Sequence, residues 1–247
     1  MAPPAREPWR LLTTWDGEPG WNMALDEALL QGRAARPTLR LYTWRPAALS
    51  LGYFQRWSDV PAAAAAPAVV RRLTGGGAIH HDRELTFSIA APADHPLYRG
   101  ELANSYGRVH ALVARTLERY GVQPEPRGAR ELTSDRPETG MCFHASSPLD
   151  LVWNDRKGVG SAQRRTGGRV LHHGSIKLGT TPLEGSIATL EDTAPGLAPE
   201  AFAEVLLAHF AEALGARLEP QEPAAEELRQ AAERAAHFTS RAFVRRR

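Results

Sequence analysis

Residues 71–82 read RRLTGGGAIHHD. Three consecutive glycines weaken any helix or strand interior, so the triplet marks a turn or a place where backbone must come close to something. Its flanks restrict what it can be. PAVVRR (67–72) before it is a short β-prone run, and ELTFSIA (84–90) after it alternates Leu85, Phe87 and Ile89 as a strand does. A dinucleotide-binding turn or a P-loop needs a helix after its glycines. A strand follows here, so both are excluded. Unblocked backbone NH groups in such a loop can line an acyl, carboxylate or phosphate group, with Arg71 and Arg72 supplying charge at the entrance. On its own the tripeptide reads equally as a plain connection.

The rest of the chain alternates element types. NMALDEALLQG (22–32) reads as a helix capped by Asn22, with Leu25 and Leu29 on one face and Gly32 at the exit. Residues 39–44, LDLVW (149–153) and RVLHHGSIKL (169–178) read as strands, the last with Val170, His172, Gly174, Ile176 and Leu178 on one side. Helices are expected over 104–120 (Tyr106, Val109, Val113, Leu117 and Tyr120 at helical spacing), over 200–214 with Pro199 in its first turn, and over 224–243. A polar loop spans 122–140, and AAAAAP (62–67) reads as a short helix. This mixed order predicts an α+β fold, a sheet with flanking helices. A single domain over 1–247 is expected, with its core at about 9–215 and a helical tail at about 220–247.

Composition narrows the function classes. Hydrophobic residues make up 43%, enough for a packed core, and a net charge of +2 does not suit a dedicated nucleic-acid binder. The N-terminus MAPPAREPWRLL lacks the apolar stretch of a signal peptide, and no apolar run is long enough to span a bilayer. A single cysteine excludes an internal disulfide framework. The expectation is a cytoplasmic protein with no nucleic-acid or membrane partner.

Three places could carry chemistry. Cys142 is either a small buried hydrophobe or a nucleophile. An ordinary thiol is only a few per cent ionised at neutral pH, so the second role needs positive charge nearby. On a strand, His144 would share its face and could pair with it. Lys157, in NDRKGVGSAQRR (154–165), could aim at a carbonyl oxygen or sit in a solvated hairpin turn. The pairs His80–His81 and His172–His173 offer at most one inward side chain each on extended chain. No metal-ligand spacing accompanies them, which argues against a metal site and for one histidine of each pair hydrogen-bonding near the glycines.

Taken together, RRLTGGGAIHHDRELTFSIA, RKGVGSAQRRTGGRVLHHGSI and GWNMALDEALL resemble the lipoate/octanoate protein ligase and transferase family, related in fold to biotin protein ligases. The resemblance covers roughly residues 9–190. It implies a mixed, largely antiparallel sheet flanked by helices, the class II biotin/lipoate ligase-like catalytic domain, with an acyl tunnel that Leu, Val and Ile side chains would line. By position it implies substrate-binding roles for Arg72, Thr74, Gly75, Gly76, Gly77, His81, Gly160, Ser161 and His173, the last adjoining His172. Lys157 would face the acyl carbonyl. The RELTFS run, and a cysteine shortly before the lysine block, place the resemblance nearest the cysteine-dependent octanoyltransferases, making Cys142 the nucleophile. The implied reaction moves octanoyl from acyl carrier protein through a Cys142 thioester to a lysine of a lipoyl domain or glycine-cleavage H protein, with no cofactor. The alternatives are an ATP-dependent lipoate–protein ligase and an amidotransferase between lipoyl proteins. Arg164, Arg165 and the arginines at 245–247 are candidates for docking acidic partners.

Overall fold

The computed structural model describes residues 6–32, 34 and 36–246. The prolines at the start of the chain and Arg247 of the terminal arginine triplet lie outside the described residues. The larger of two sheets contains β1 (Glu7–Gly17), β2 (Thr38–Trp44), β6 (Glu84–Pro92), β7 (Glu125–Pro126), β8 (Leu151–Trp153), β9 (Arg156–Thr166), β10 (Arg169–Lys177) and β11 (Ala216–Pro220). Its order is β11-β1-β2-β6-β10-β9-β8-β7. β1 pairs in parallel with β11 and β2, and every other neighbouring pair is antiparallel. A small sheet sets β3 (Ala48–Leu51) between β4 (Val69–Arg71) and β5 (Ile79–His81). The helices are α1 (Pro19–Gln31), α2 (Leu102–Glu118), α3 (Pro199–Ala213), α4 (Ala225–Thr239) and α5 (Arg241–Val244). This is the expected mixed, largely antiparallel α+β fold.

Alternation along each strand sends side chains to two faces, and each face has its own core. On one, Leu39, Leu41, Leu85, Phe87, Ile89 and Val170 pack against Val109, Val113 and Leu117 of α2 and Phe202, Leu206 and Phe210 of α3. On the other, Leu12, Tyr42, Ala90 and Leu171 pack against Met23, Leu25 and Leu29 of α1 and Phe238 of α4. Gly20 lets α4 cross α1 closely, because a Cβ there would lie 2.6 Å from the Ala235 carbonyl oxygen. The small sheet forms a separate apolar cluster in which Leu49, Leu51 and Ala78 meet Met141. That cluster fixes the segment carrying the cysteine.

Several sequence readings change. α1 starts at Pro19, and Asn22 is no cap: it lies inside the helix, its Nδ2 donating to the Gly17 and Thr43 carbonyls. The tail helix breaks at Ser240, whose extended backbone ends α4 and whose Oγ caps α5 by accepting from the Phe243 N–H. β1, β3, β5, β7, β9 and β11 have no counterpart in the sequence reading; β7 falls in the segment read as a polar loop, and Lys157 lies on β9, not in a solvated turn. In β1, consecutive Leu11 and Leu12 are buried in opposite cores, so its apolar residues do not alternate. The AAAAAP stretch forms a 3₁₀ turn over Pro61–Ala64. No helix among the described residues is long and apolar enough to cross a membrane.

Candidate active site

The glycine triplet brings backbone against backbone. A Cβ on Gly77 would stand 2.8 Å from both Cα and N of Cys142, and one on Gly52 would stand 1.9 Å from the Gly76 carbonyl oxygen. Gly76 also has φ +93°, a conformation that disfavours any side chain. The loop is zipped to the cysteine segment by Cys142 N–H donating to Ala78 O (2.7 Å) and Ala78 N–H donating to Gly140 O (2.9 Å). Cys142 thus opens a 3₁₀ turn, Cys142–His144, and is not on a strand.

The arginines before the triplet do not present free charge. Arg72 donates to Ser50 O (3.0 Å), Thr74 Oγ1 (3.2 Å), Gly75 O and Gly77 O (both 2.7 Å), which holds the loop's curvature. Burial pushes its pKa down to about 10. Arg71 donates to the Gly52 and Gln55 carbonyls and, across the molecule, to those of Phe243 and Val244.

Lys157 is the partner of Cys142. A register shift in the β8–β9 ladder leaves Gly158 as the extra residue between the Leu151–Val159 and Val152–Lys157 pairs and so sets the position of the lysine. Gly158 follows it because a Cβ there would meet the Trp153 ring at 2.0 Å. The buried Lys157 Nζ donates to Cys142 Sγ (3.2 Å) and Cys142 O (2.9 Å), and lies 2.7 Å from Asp150 Oδ2. Burial alone would lower its pKa. Attraction to Cys142 and Asp150, with hydrogen bonds to both, outweighs that and raises its pKa. Gly160 leaves room for this: a Cβ there would lie 3.0 Å from Nζ and 3.4 Å from Sγ. The Cys142–His144 pairing expected for a strand does not form. His144 Nε2 donates to Glu184 O (2.6 Å), and Thr139 Oγ1 donates to its Nδ1 (2.8 Å), so the imidazole anchors the turn.

A narrow, partly enclosed, mostly apolar pocket adjoins this pair. Cys142, Gly75, Gly76 and Gly160 border it, and Met23, Tyr42, Trp44 and Ile79 supply its apolar wall. The expected Leu and Val lining is absent from that wall: large, less branched side chains of α1 and β2 take their place. His81 and His173 also line the cavity, while His80 and His172 turn elsewhere, as opposite faces of a strand require. His81 stacks on Trp44 at 3.9 Å, donates from Nδ1 to Glu84 (2.6 Å) and accepts at Nε2 from Ser50 Oγ (2.8 Å). Burial pushes its pKa down to about 4 despite Glu84, so it is neutral at pH 7. Glu84 in turn pairs with Lys177 (2.9 Å). His173 donates to Asp26 (3.2 Å) and accepts from Thr74 Oγ1 (2.6 Å). Burial disfavours charge on Asp26, but His173, Arg40 and Ser88 together hold its pKa below the usual carboxylate range. Ser161 reaches the cavity edge, yet its hydroxyl faces α2, bonded to His110 (2.7 Å) and His172 (2.9 Å).

Sequence reasoning passed over Asp150, Asp26, Glu84 and Lys177. Two had a visible signal. Asp26 falls four residues after Asn22 on a helix face, and Lys177 continues the parity of His173 and Ser175 along a strand. Among the described residues no cluster of three His, Cys, Asp or Glu side chains forms a metal site.

The chain belongs to the Lipoyl protein ligase A/B catalytic domain family, which it matches over residues 18–186. It is 38% identical over 253 residues to octanoyltransferase LipM of Kyrpidia tusciae, covering 89% of this chain and 92% of that one. It is 45% identical over 179 residues to octanoyltransferase LipM of Moorella thermoacetica, covering 70% of this chain and 66% of that relative. Among solved structures, a bi-partite lipoate protein ligase from Thermoplasma acidophilum superposes with TM-score 0.76 at 19% identity, over 97% of this chain and 96% of that one. P. falciparum LipL1 in complex with lipoate gives 0.71 at 16% identity, over 97% and 74%. These two structures share the fold.

Proposed function

We propose that this chain is a protein octanoyltransferase that works through a Cys142 thioester. The observation that carries the reading is the Lys157 ammonium, anchored by Asp150, donating to the one thiol at the edge of a narrow apolar pocket. Relatives named octanoyltransferase LipM support octanoyl transfer as the reaction.

In the first half-reaction the Cys142 sulfur attacks the carbonyl carbon of an octanoyl thioester on acyl carrier protein. A new C–S bond forms, the donor's C–S bond breaks, and the carrier thiolate leaves and takes a proton. Lys157 stabilises negative charge first on the attacking sulfur and then on the tetrahedral oxygen. In the second, a neutral lysine amine of a lipoyl domain or H protein attacks the acyl carbon. The amine loses one proton, the amide forms, and sulfur departs as a thiolate beside Lys157. A thioester is already activated, so ATP takes no part. The cavity holds the octanoyl chain, whose burial at about 0.8 kcal/mol per methylene selects for length. Arg72 and the three glycines shape the wall; His81, His173 and Thr74 hold it in place.

Intact-mass spectrometry after incubation with octanoyl carrier protein tests this. The wild type gains one octanoyl mass without ATP and passes it to the acceptor; Cys142→Ser gains none and transfers none. Normal transfer by Cys142→Ser, or a strict requirement for ATP and free acid, would overturn the assignment.

A further inference from the structure

Against the outer side of the glycine loop lies a cationic, aromatic rim that the chemistry above does not use. Arg246 sits 3.7 Å and Arg164 5.1 Å from the centre of the Tyr53 ring, and Arg245 lies 4.2 Å over Trp57. Two contacts join this rim to the glycine loop. Arg164 donates to Leu73 O (3.0 Å), and Phe54, 66% exposed, lies 3.7 Å from where a Gly75 Cβ would be. Arg246 donates to Tyr53 O (2.5 Å), while its Nε is buried and finds no acceptor among the described residues. None of the three guanidiniums forms an ion pair with a carboxylate among the described residues, unlike Arg10, Arg40 and Arg234. The field is strong enough that Arg246, by hydrogen bond and charge, and Arg164 hold the half-buried Tyr53 hydroxyl's pKa below its ordinary value.

We infer that Arg164, Arg246 and Tyr53 bind the phosphodiester of the donor's acyl-bearing arm, seating an acyl carrier protein so that its thioester enters beside Gly75. The inference rests on the proposed transfer reaction and names how that reaction takes its donor. Two guanidiniums flanking a hydroxyl suit a single phosphate, which accepts several charge-assisted hydrogen bonds. The same rim repels an incoming lysine ammonium, so it fits the donor and not the acceptor's reactive side chain. Phe54 offers apolar surface to the arm between phosphate and thioester.

The test reads acyl-Cys142 formation with two small donors, octanoyl-pantetheine and octanoyl-4′-phosphopantetheine. The wild type should favour the phosphorylated donor by about tenfold in KM, falling with added salt. Arg164→Ala with Arg246→Ala should erase that preference and leave the rate with octanoyl-pantetheine unchanged; the paired Lys variants should restore it. Equal use of both donors by the wild type, or a preference surviving in the Ala variant, overturns the inference. So does a double variant impaired only with intact carrier protein, which would put the contact on the carrier's own carboxylates. Binding of 4′-phosphopantetheine to Cys142→Ser, with and without the arginines, reads the rim even if no acyl-enzyme ever forms. Failure of the rim is thereby distinguished from failure of the thioester mechanism.

Discussion

At the scale of single residues, the site is made by what small side chains permit. Lys157 reaches Cys142 because Gly160 leaves the space a methyl would fill, 2.9 Å from its Cε and 3.0 Å from its Nζ. Gly160→Ala is therefore expected to push the ammonium off the sulfur while leaving the fold standing, since the crowded atoms end a flexible side chain. Misplacing a reacting group by about 1 Å slows such steps by roughly a hundredfold. A time course of acyl-Cys142 formation checks this: a rate within twofold of wild type would show that the Lys157 position is not what limits the step. Gly77 is a harder constraint, because the atoms crowding it belong to the Cys142 backbone.

At the scale of elements, the C-terminal helices brace the site from behind. α4 covers the α1 face of the sheet through Phe238, which is fully buried, and β1 is tied to it by the two-pronged Arg10–Glu227 pair at 2.7 and 2.8 Å. α5 then hands its Phe243 and Val244 carbonyls to Arg71, at the edge of the small sheet. Phe238→Ala should cost about 3–5 kcal/mol through lost burial and the cavity left behind. Urea unfolding measures it; a loss under 1 kcal/mol would mean that α4 contributes little to the core. These helices were readable from the sequence as helices, but their docking was not, because α4 is built largely of alanine and charged residues and has a sparse stripe of larger apolar side chains.

At the scale of the whole molecule, the buried histidines set how stability varies with pH. His81 is pushed down to about 4 by burial, from an unfolded value near 6.5. Between those values the unfolded chain binds more protons, so stability rises with pH across that window, by on the order of 3 kcal/mol for this group. Burial lowers His80, His110, His144 and His172 as well, with the same sign. The urea midpoint is therefore expected to be higher at pH 7 than at pH 5, with a shallower slope in His81→Asn. A flat or inverted dependence would contradict a neutral, buried His81.

Periodicity was enough to read α2 and α3, each packed on one side only, and β2, β6 and β10, whose larger aliphatic side chains alternate although both of their faces are buried. Motif order was enough to expect the family and to bring Cys142, Lys157 and the glycines into one proposal. The sequence could not show β1, whose neighbouring leucines serve two cores at once, or that Cys142 lies on a turn. The family resemblance put Lys157 beside the sulfur, whereas the residues alone offered His144, two residues away; the contact forms with Lys157, 15 residues away. Local propensity reports only on the faces of single elements. The thiol–ammonium contact depends on a register shift in β9, an unoccupied Cβ position at Gly160 and the zipper between Ala78 and Cys142, and each of these exists only once distant strands have packed together.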